Sequence, residues 1–181
     1  MKITFVRHGQ TENNYMNICN GHKNEFLNET GRRQCHKLRT KIKNKHFDVC
    51  YMSPLIRTVE TAMILIGDRV EMIPDKRLID RCLGEFEGKS RDLYDSDKYW
   101  DYKLNCSDDS VEPIQDLINR CKSFVDYLFE KYSDESILIV THSAIIRVLR
   151  ALILNKSFDS SLLGTDVVNC YFEEINVKKT K

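Results

Sequence analysis

No stretch of the chain holds the roughly 18 consecutive apolar residues that a membrane-spanning helix needs, so a membrane-embedded class is not expected. Net charge is almost absent. The 28 lysines and arginines against 27 aspartates and glutamates leave +1, which gives no general field for nucleic acid or an anionic lipid surface. Any anion must then be held by a local cluster. The seven cysteines, at positions 19, 35, 50, 82, 106, 121 and 170, are odd in number and never spaced C-x-x-C, which argues against a disulfide framework and a zinc knuckle. Free thiols in a reducing cytoplasm are the expectation. An apolar strand that begins at the second residue leads us to expect no signal peptide. Internal repeats and low-complexity tracts are missing as well. The remainder is an ordinary globular composition, 41% hydrophobic and 30% charged over 181 residues, for which one domain spanning residues 1–181 is expected.

Two stretches stand out, each a short apolar strand ending on a histidine. The first, ITFV at 3–6, is β-branched and aromatic; Arg7, His8 and Gly9 follow, then the turn formers Asn13 and Asn14. The second, SILIV at 136–140, runs into Thr141, His142 and Ser143 and then into an apolar helix from Ala144. Residues 15–30 read as loop. Residues 31–46 read as a helix with Cys35, Leu38 and Ile42 on one face and a solvated basic face. Residues 47–53 read as a strand, and Pro54 as the first residue of a helix closed by Gly67, with Arg57 in its first turn. Residues 69–73 form a short strand broken by Pro74. Residues 75–112 are irregular, a lid-like insertion in which Tyr94, Tyr99, Trp100 and Tyr102 line a lid or pack beneath one. Pro113 opens a long helix with Ile114, Leu117, Cys121, Phe124, Val125 and Leu128 at core spacing. A last strand is read from Asp166 to Ile175, followed by a frayed tail at 177–181. This alternation predicts an α/β fold, a three-layer sandwich with a mainly parallel central sheet flanked by helices. Ligands bind such sheets beyond the carboxyl ends of the strands, where His8 and His142 fall.

Taken singly, a histidine after a strand is a common structural hydrogen-bonder and an arginine in a first helical turn usually faces solvent. Together, Arg7, His8, Arg57 and His142 would bring two fixed cations and two imidazoles to one sheet edge, beside two helix N-termini. That combination suits a phosphate dianion. Metal binding by the two histidines lacks a third ligand at sensible spacing, and the arginines would repel a cation.

The residues resemble the histidine phosphatase superfamily, which includes cofactor-dependent phosphoglycerate mutases and small-metabolite phosphatases. The motif R-H-G-x-T/S-x-x-N is matched by Arg7, His8, Gly9, Thr11 and Asn14. S-P-L-x-R-x-x-x-T-A is matched by Ser53, Pro54, Leu55, Arg57, Thr61 and Ala62. An acid followed by x-x-x-G-x-x-E-G is matched by Asp80, Gly84, Glu87 and Gly88, and the final T/S-H block by Thr141 and His142 with Arg147 in the helix beyond. Asn169 lies where many members open their last strand with asparagine. The resemblance implies a phosphoglycerate mutase-like fold and double displacement at phosphorus. His8 is then the nucleophile, Arg7, Arg57 and His142 hold the phosphoryl oxygens, Asn14 adds a neutral donor, and Asp80 is the acid. Two departures stand out. Mutase-like members more often carry Glu at the acid position, so Glu85 and Glu87 stay open as alternatives to Asp80. The residue after the second histidine is often Gly, and here Ser143 offers a backbone N–H and a hydroxyl to phosphate or only caps the helix. Gly21 and His22 fall in a loop that touches substrate in the family; a purely structural turn is the alternative.

The resemblance also implies no metal or organic cofactor, a small phosphate ester as partner, and a monomer or homodimer. Mutases of the family grip the substrate carboxylate with adjacent arginines in an inserted segment. Residues 90–112 have none and are dominated by acidic and aromatic side chains, which favours a phosphatase with an apolar or neutral leaving group. The competing readings are a cofactor-dependent phosphoglycerate mutase and a non-catalytic phosphate-binding or scaffold module. The intact Arg7, His8, Arg57 and His142 speak against the latter.

Overall fold

The computed structural model describes residues 1–158 and 166–177. Its centre is a five-stranded sheet of β1 (Lys2–Arg7), β2 (Val49–Met52), β3 (Met72–Pro74), β4 (Ser136–Thr141) and β5 (Phe172–Asn176), in the order β3-β2-β4-β1-β5. β3, β2, β4 and β1 run parallel and only the edge strand β5 is antiparallel. Alternation along the strands decides which side chain goes to which layer. Ile3, Phe5, Val49, Tyr51, Ile137 and Ile139 face α5 (Ile114–Lys131) and α6 (Ser143–Ile153) in one core. Val6, Cys50, Met52, Leu138 and Val140 face α2 (Glu29–Ile42) and α3 (Ile56–Ile66) in the other. The α/β sandwich expected from the sequence is the one observed.

Local chemistry sets where these elements begin. Asn28 caps α2 by accepting the Gly31 N–H at 2.8 Å. The first six residues of the expected last strand lie outside it, with a turn at Asn169 and Cys170 (φ 56°), so that strand starts only at Phe172. Pro54 is not the first residue of α3. Leu55 is the cap and the helix starts at Ile56, because Ser53 Oγ accepts the Leu55 N–H at 3.3 Å and holds an extended turn before the helix. Pro113 likewise caps α5 without entering it. Pro74 does not end β3 before it; it pairs in register with Met52, which an edge strand tolerates because proline's missing N–H faces away from the ladder.

The expected loop at 15–30 is mostly that, after the short α1 (Glu12–Tyr15) capped by Thr11. Residues 75–112 contain α4 (Ser96–Trp100) and several single turns. Tyr94, Tyr99 and Trp100 are buried in the α5–α6 core, with Tyr94 and Tyr99 stacked, while Tyr102 is 43% exposed. The aromatics of this segment therefore anchor it to the body of the fold. Of the tail expected to fray, residues 178–181 lie outside the described residues.

Candidate active site

Sheet register builds the site. Arg7 pairs with Thr141, and the His8 N–H donates to the Thr141 carbonyl at 3.0 Å, so both histidines stand one step beyond adjacent strand ends. Their ring centroids are 5.2 Å apart, inclined at 61°. On the far side of β4, the Ser53 N–H donates to the Val140 carbonyl at 3.1 Å, and Ser53 Oγ lies 2.8 Å from His142 Nε2. Below this edge the loop after β1 meets α2 backbone to backbone. A Cβ on Gly31 would sit 2.1 Å from the Gln10 carbonyl oxygen, so only glycine permits the approach.

A hydrogen bond fixes the His8 tautomer. His8 Nδ1 lies 2.7 Å from the Gly9 carbonyl, which only accepts, so Nδ1 carries the proton and Nε2 keeps its lone pair. Burial pushes the His8 pKa well below its ordinary 6.5, and Arg57 and Arg7 push it the same way. His142 is depressed likewise, by burial first and then by Arg57, His8 and Arg7. Both rings are neutral at neutral pH. Burial also brings the Arg7 pKa down to about 10, against the pull of Asp80, which leaves the guanidinium charged.

Arg57 is fully buried and held from two sides, donating to the Lys23 and Gly21 carbonyls at 2.8 Å each and to Asp80 Oδ2 at 3.2 Å. The same Asp80 oxygen lies 3.5 Å from His142 Nδ1. Arg7 donates to the Val167 carbonyl at 2.6 Å. Three buried nitrogens in this cluster, Arg7 Nε, Arg57 Nε and His142 Nδ1, have no hydrogen-bond partner among the described residues. Donors of that kind are costly to bury unless something accepts from them, so their concentration in one place points to an anion.

A cleft of about 570 Å³, including its open mouth, lies over the cluster. Of the site residues expected from the sequence, it is lined by Arg7, His8, Asn14, Gly21, Asp80 and Ser143, and of the lid aromatics by Tyr94 and Trp100. Arg57 and His142 sit beneath Asp80 and not on the wall. The acid alternatives separate by position. Asp80 faces the cleft; Glu85 is exposed away from it, and Glu87 Oε1 accepts the His22 and Leu83 N–H groups as a brace. His22 does not line the cleft: its Nε2 lies 2.8 Å from the Asp80 carbonyl, which positions the acid's backbone. Gly21 at φ 50° leaves no room for a Cβ, which would fall 2.1 Å from Glu87 Oε1. Asn14 closes a capping box with Thr11 and accepts from Asn169 Nδ2 at 3.0 Å, while Asn169 also donates to the His8 carbonyl at 3.2 Å. Among the described residues no group of three or more His, Cys, Asp or Glu is placed to hold a metal ion.

The profile of the histidine phosphatase superfamily (branch 1) matches residues 3–180. The chain belongs to that superfamily. Within it, this histidine phosphatase is 29% identical over 164 residues to an adenosylcobalamin/alpha-ribazole phosphatase of Escherichia coli, covering 85% of this chain and 79% of that one. It is also 29% identical over 158 residues to phosphoglycerate mutase-like protein 4 of Arabidopsis thaliana, covering 82% and 69%. The crystal structure of the alpha-ribazole phosphatase from Shigella flexneri superposes with a TM-score of 0.84 at 24% identity, over 99% of this chain and 92% of that one, and shows the shared fold. These kinships place the chain among the phosphatase enzymes of the superfamily. The sequence pattern gave no site role to three further residues of the cleft wall, Arg81, Arg91 and Arg147, and placed Trp100 only in or beneath a lid. Arg147 was visible only as a motif match; its place one helical turn beyond Ser143, on the same face of α6, was the available signal.

Proposed function

We propose that this histidine phosphatase hydrolyses a small phosphorylated metabolite, without a metal, through a phosphohistidine at His8 Nε2. The observation that carries the reading is the Nδ1–Gly9 hydrogen bond, which leaves Nε2 unprotonated in a cluster of buried cationic and neutral donors. The Nε2 lone pair forms the N–P bond as the P–O ester bond breaks. Arg7, Arg57 and His142 Nδ1–H take the phosphoryl oxygens, with Asn14 and the N-terminal turn of α6 at Ser143 as neutral donors. Phosphate competes with Asp80 for Arg57, and the freed carboxylate takes a proton from solvent and turns toward the ester oxygen; Asp80 then gives that proton to the departing alkoxide. In the second half, Asp80 takes a proton from water as the water oxygen attacks phosphorus and the N–P bond breaks. The Ser53 hydroxyl donates to His142 Nε2 and keeps Nδ1–H on the phosphate side. The seven free thiols agree with a cytoplasmic enzyme.

The test is phosphate release from an aryl phosphate and a metabolite panel, with chelator present, from the native protein and from His8→Gln. Chelator-resistant turnover that is lost in the variant, together with acid-labile labelling of His8 by a phosphorylated substrate, is expected. Turnover that survives in His8→Gln would place the nucleophile elsewhere. A mutase reading, which the relative from Arabidopsis thaliana keeps in view, predicts interconversion of 2- and 3-phosphoglycerate faster than phosphate release.

A further inference from the structure

Two of the seven thiols meet beneath the loop that carries His8. Cys35 Sγ, on the buried face of α2, lies 3.5 Å from Cys170 Sγ, in the turn that leads into β5. Cys35 is fully buried, while Cys170 is partly exposed. The pair touches the site from both ends. Thr61 Oγ1 lies 3.7 Å from Cys35 Sγ and accepts the Gly9 N–H at 3.1 Å. A Cβ on Gly9 would fall 2.8 Å from the same sulfur, so Cys35 packs directly under the residue after His8. On the other side the Cys170 N–H donates to the His8 carbonyl at 3.2 Å. Its neighbour Asn169 donates to that carbonyl and to Asn14 Oδ1.

This pair differs chemically from the other thiols. Burial pushes Cys50 and Cys121 up to about 12 and also raises the pKa values of Cys19 and Cys82. Cys35 moves the other way, because its hydrogen bond with Cys170 favours the thiolate by more than burial opposes it. We propose that Cys35 and Cys170 are a dithiol oxidation site, which a hydroperoxide converts to a disulfide that slows the enzyme. Cys170, the sulfur open to solvent, attacks the O–O bond as its thiolate. One oxygen stays on sulfur as the sulfenic acid, and the other leaves as water with the thiol proton. The Cys35 thiolate then attacks the Cys170 sulfur; the S–S bond forms, the S–O bond breaks, and the hydroxide leaves as water with the Cys35 proton. Two thiols thus give two electrons to one peroxide. Such a transient link differs from the structural framework that the cysteine spacing argues against. It requires the sulfurs to close from 3.5 Å to about 2.05 Å. α2 is already locked against the His8 loop where Gly31 meets Gln10, so closure falls to the turn at Asn169 and Cys170. That turn then leaves the His8 carbonyl and releases Asn14. The loss of turnover rests on the phosphatase reading; the oxidation site does not.

Peroxide titration of the native protein, followed by peptide mapping without reduction, reads the site. A linked Cys35–Cys170 peptide pair should form ahead of oxidation at the other thiols. Phosphate release should fall about tenfold or more, and dithiothreitol should restore it. Binding of inorganic phosphate, measured by calorimetry without turnover, should weaken in the linked protein. Cys170→Ser, folded by circular dichroism, should keep native activity and resist peroxide, and Cys35→Ser should resist it as well. Cys82→Ser, which removes the other partly exposed thiol, should respond as the native protein does. Absence of the Cys35–Cys170 link, equal inactivation of Cys170→Ser, or a linked protein with unchanged turnover and phosphate binding overturns the proposal. Failure of the phosphatase reading shows separately, as no phosphate release from any ester in either redox state while the link forms and phosphate binding falls.

Discussion

Acidification should destabilise this fold through His8 and His142 in a pH range above that of ordinary carboxylates. Both rings are fully buried with pKa values held well below 6.5 by burial and by Arg57. In the unfolded chain each regains its ordinary value, so below about pH 6.5 the unfolded state binds protons that the folded state refuses. The stabilisation is complete above that pH and is lost as pH falls toward the folded pKa. The slope is about 1.4 kcal/mol per pH unit for each histidine that stays neutral in the fold, and about 2.7 kcal/mol per unit for the pair. Against a typical total stability of about 5–15 kcal/mol, one pH unit removes a visible fraction. Urea unfolding at pH 7, 6.5, 6, 5.5 and 5 in phosphate-free buffer reads this directly. His8→Gln keeps an N–H donor for the Gly9 carbonyl and removes one titration, so between pH 6 and 5 its stability should fall less steeply than that of the native protein by about 1.4 kcal/mol per unit. Parallel slopes would refute the buried neutral imidazole, as would a His8 titration near 6.5 followed by NMR. The functional corollary has the same sign: His8 stays a competent nucleophile below pH 6.5, so no acid limb of kcat/KM should centre there.

Asp80→Asn should cut kcat on alkyl phosphates by about 10²–10⁴ and cost much less on aryl phosphates, whose leaving phenolate hardly needs a proton; equal losses on both would remove the acid role from Asp80. Gly31→Ala should lower stability by about 1–3 kcal/mol, because its methyl would fall 2.1 Å from the Gln10 carbonyl oxygen and α2 must retreat from the loop bearing His8; a thermal midpoint equal to the native one would contradict that contact. Ser53→Ala leaves His142 Nε2 buried without its hydrogen-bond partner at 2.8 Å, a cost of about 1–3 kcal/mol. Inhibition by inorganic phosphate should weaken with it, and an unchanged inhibition constant would show that His142 needs no such orientation.

The sheet and the histidine pair were legible because they follow from a period of two. Ile3 and Phe5 go to one layer and Thr4 and Val6 to the other, and a strand that ends on a polar residue shows where the chain leaves the core. Helix starts were less legible, since proline is permitted at several positions around an N-terminus. The Ser53 hydroxyl holds the Leu55 N–H before α3, and the sequence pattern alone does not reveal that this helix starts two residues after Pro54 without a side-chain cap. The choice among Asp80, Glu85 and Glu87 was also closed to periodicity, because residues 79–90 form no extended element whose faces alternate. In the fold they differ in position. Glu87 takes two backbone N–H groups, and His22 takes the Asp80 carbonyl, which together spend those side chains on the loop and leave the Asp80 carboxylate facing the cleft.

The leaving-group side of the cleft shows why a count of arginines within one segment misleads. Residues 90–112 supply one guanidinium, Arg91, and the aromatic Trp100 that faces it. Read in isolation, an indole beside a single exposed cation suits an apolar group. In the fold, Trp100 is a platform for Arg147 and Arg81, so the same aromatic that lowers the polarity of the wall also concentrates cations on it. Removing water from around guanidiniums strengthens their pull on an anion while making their mutual repulsion more costly without one. An apolar wall and a cationic one are therefore compatible. Replacing Trp100 by Leu should accordingly weaken binding of an inert alkylphosphonate, because the ring seats Arg81 and Arg147 on the cleft wall; unchanged binding would mean that neither arginine depends on it.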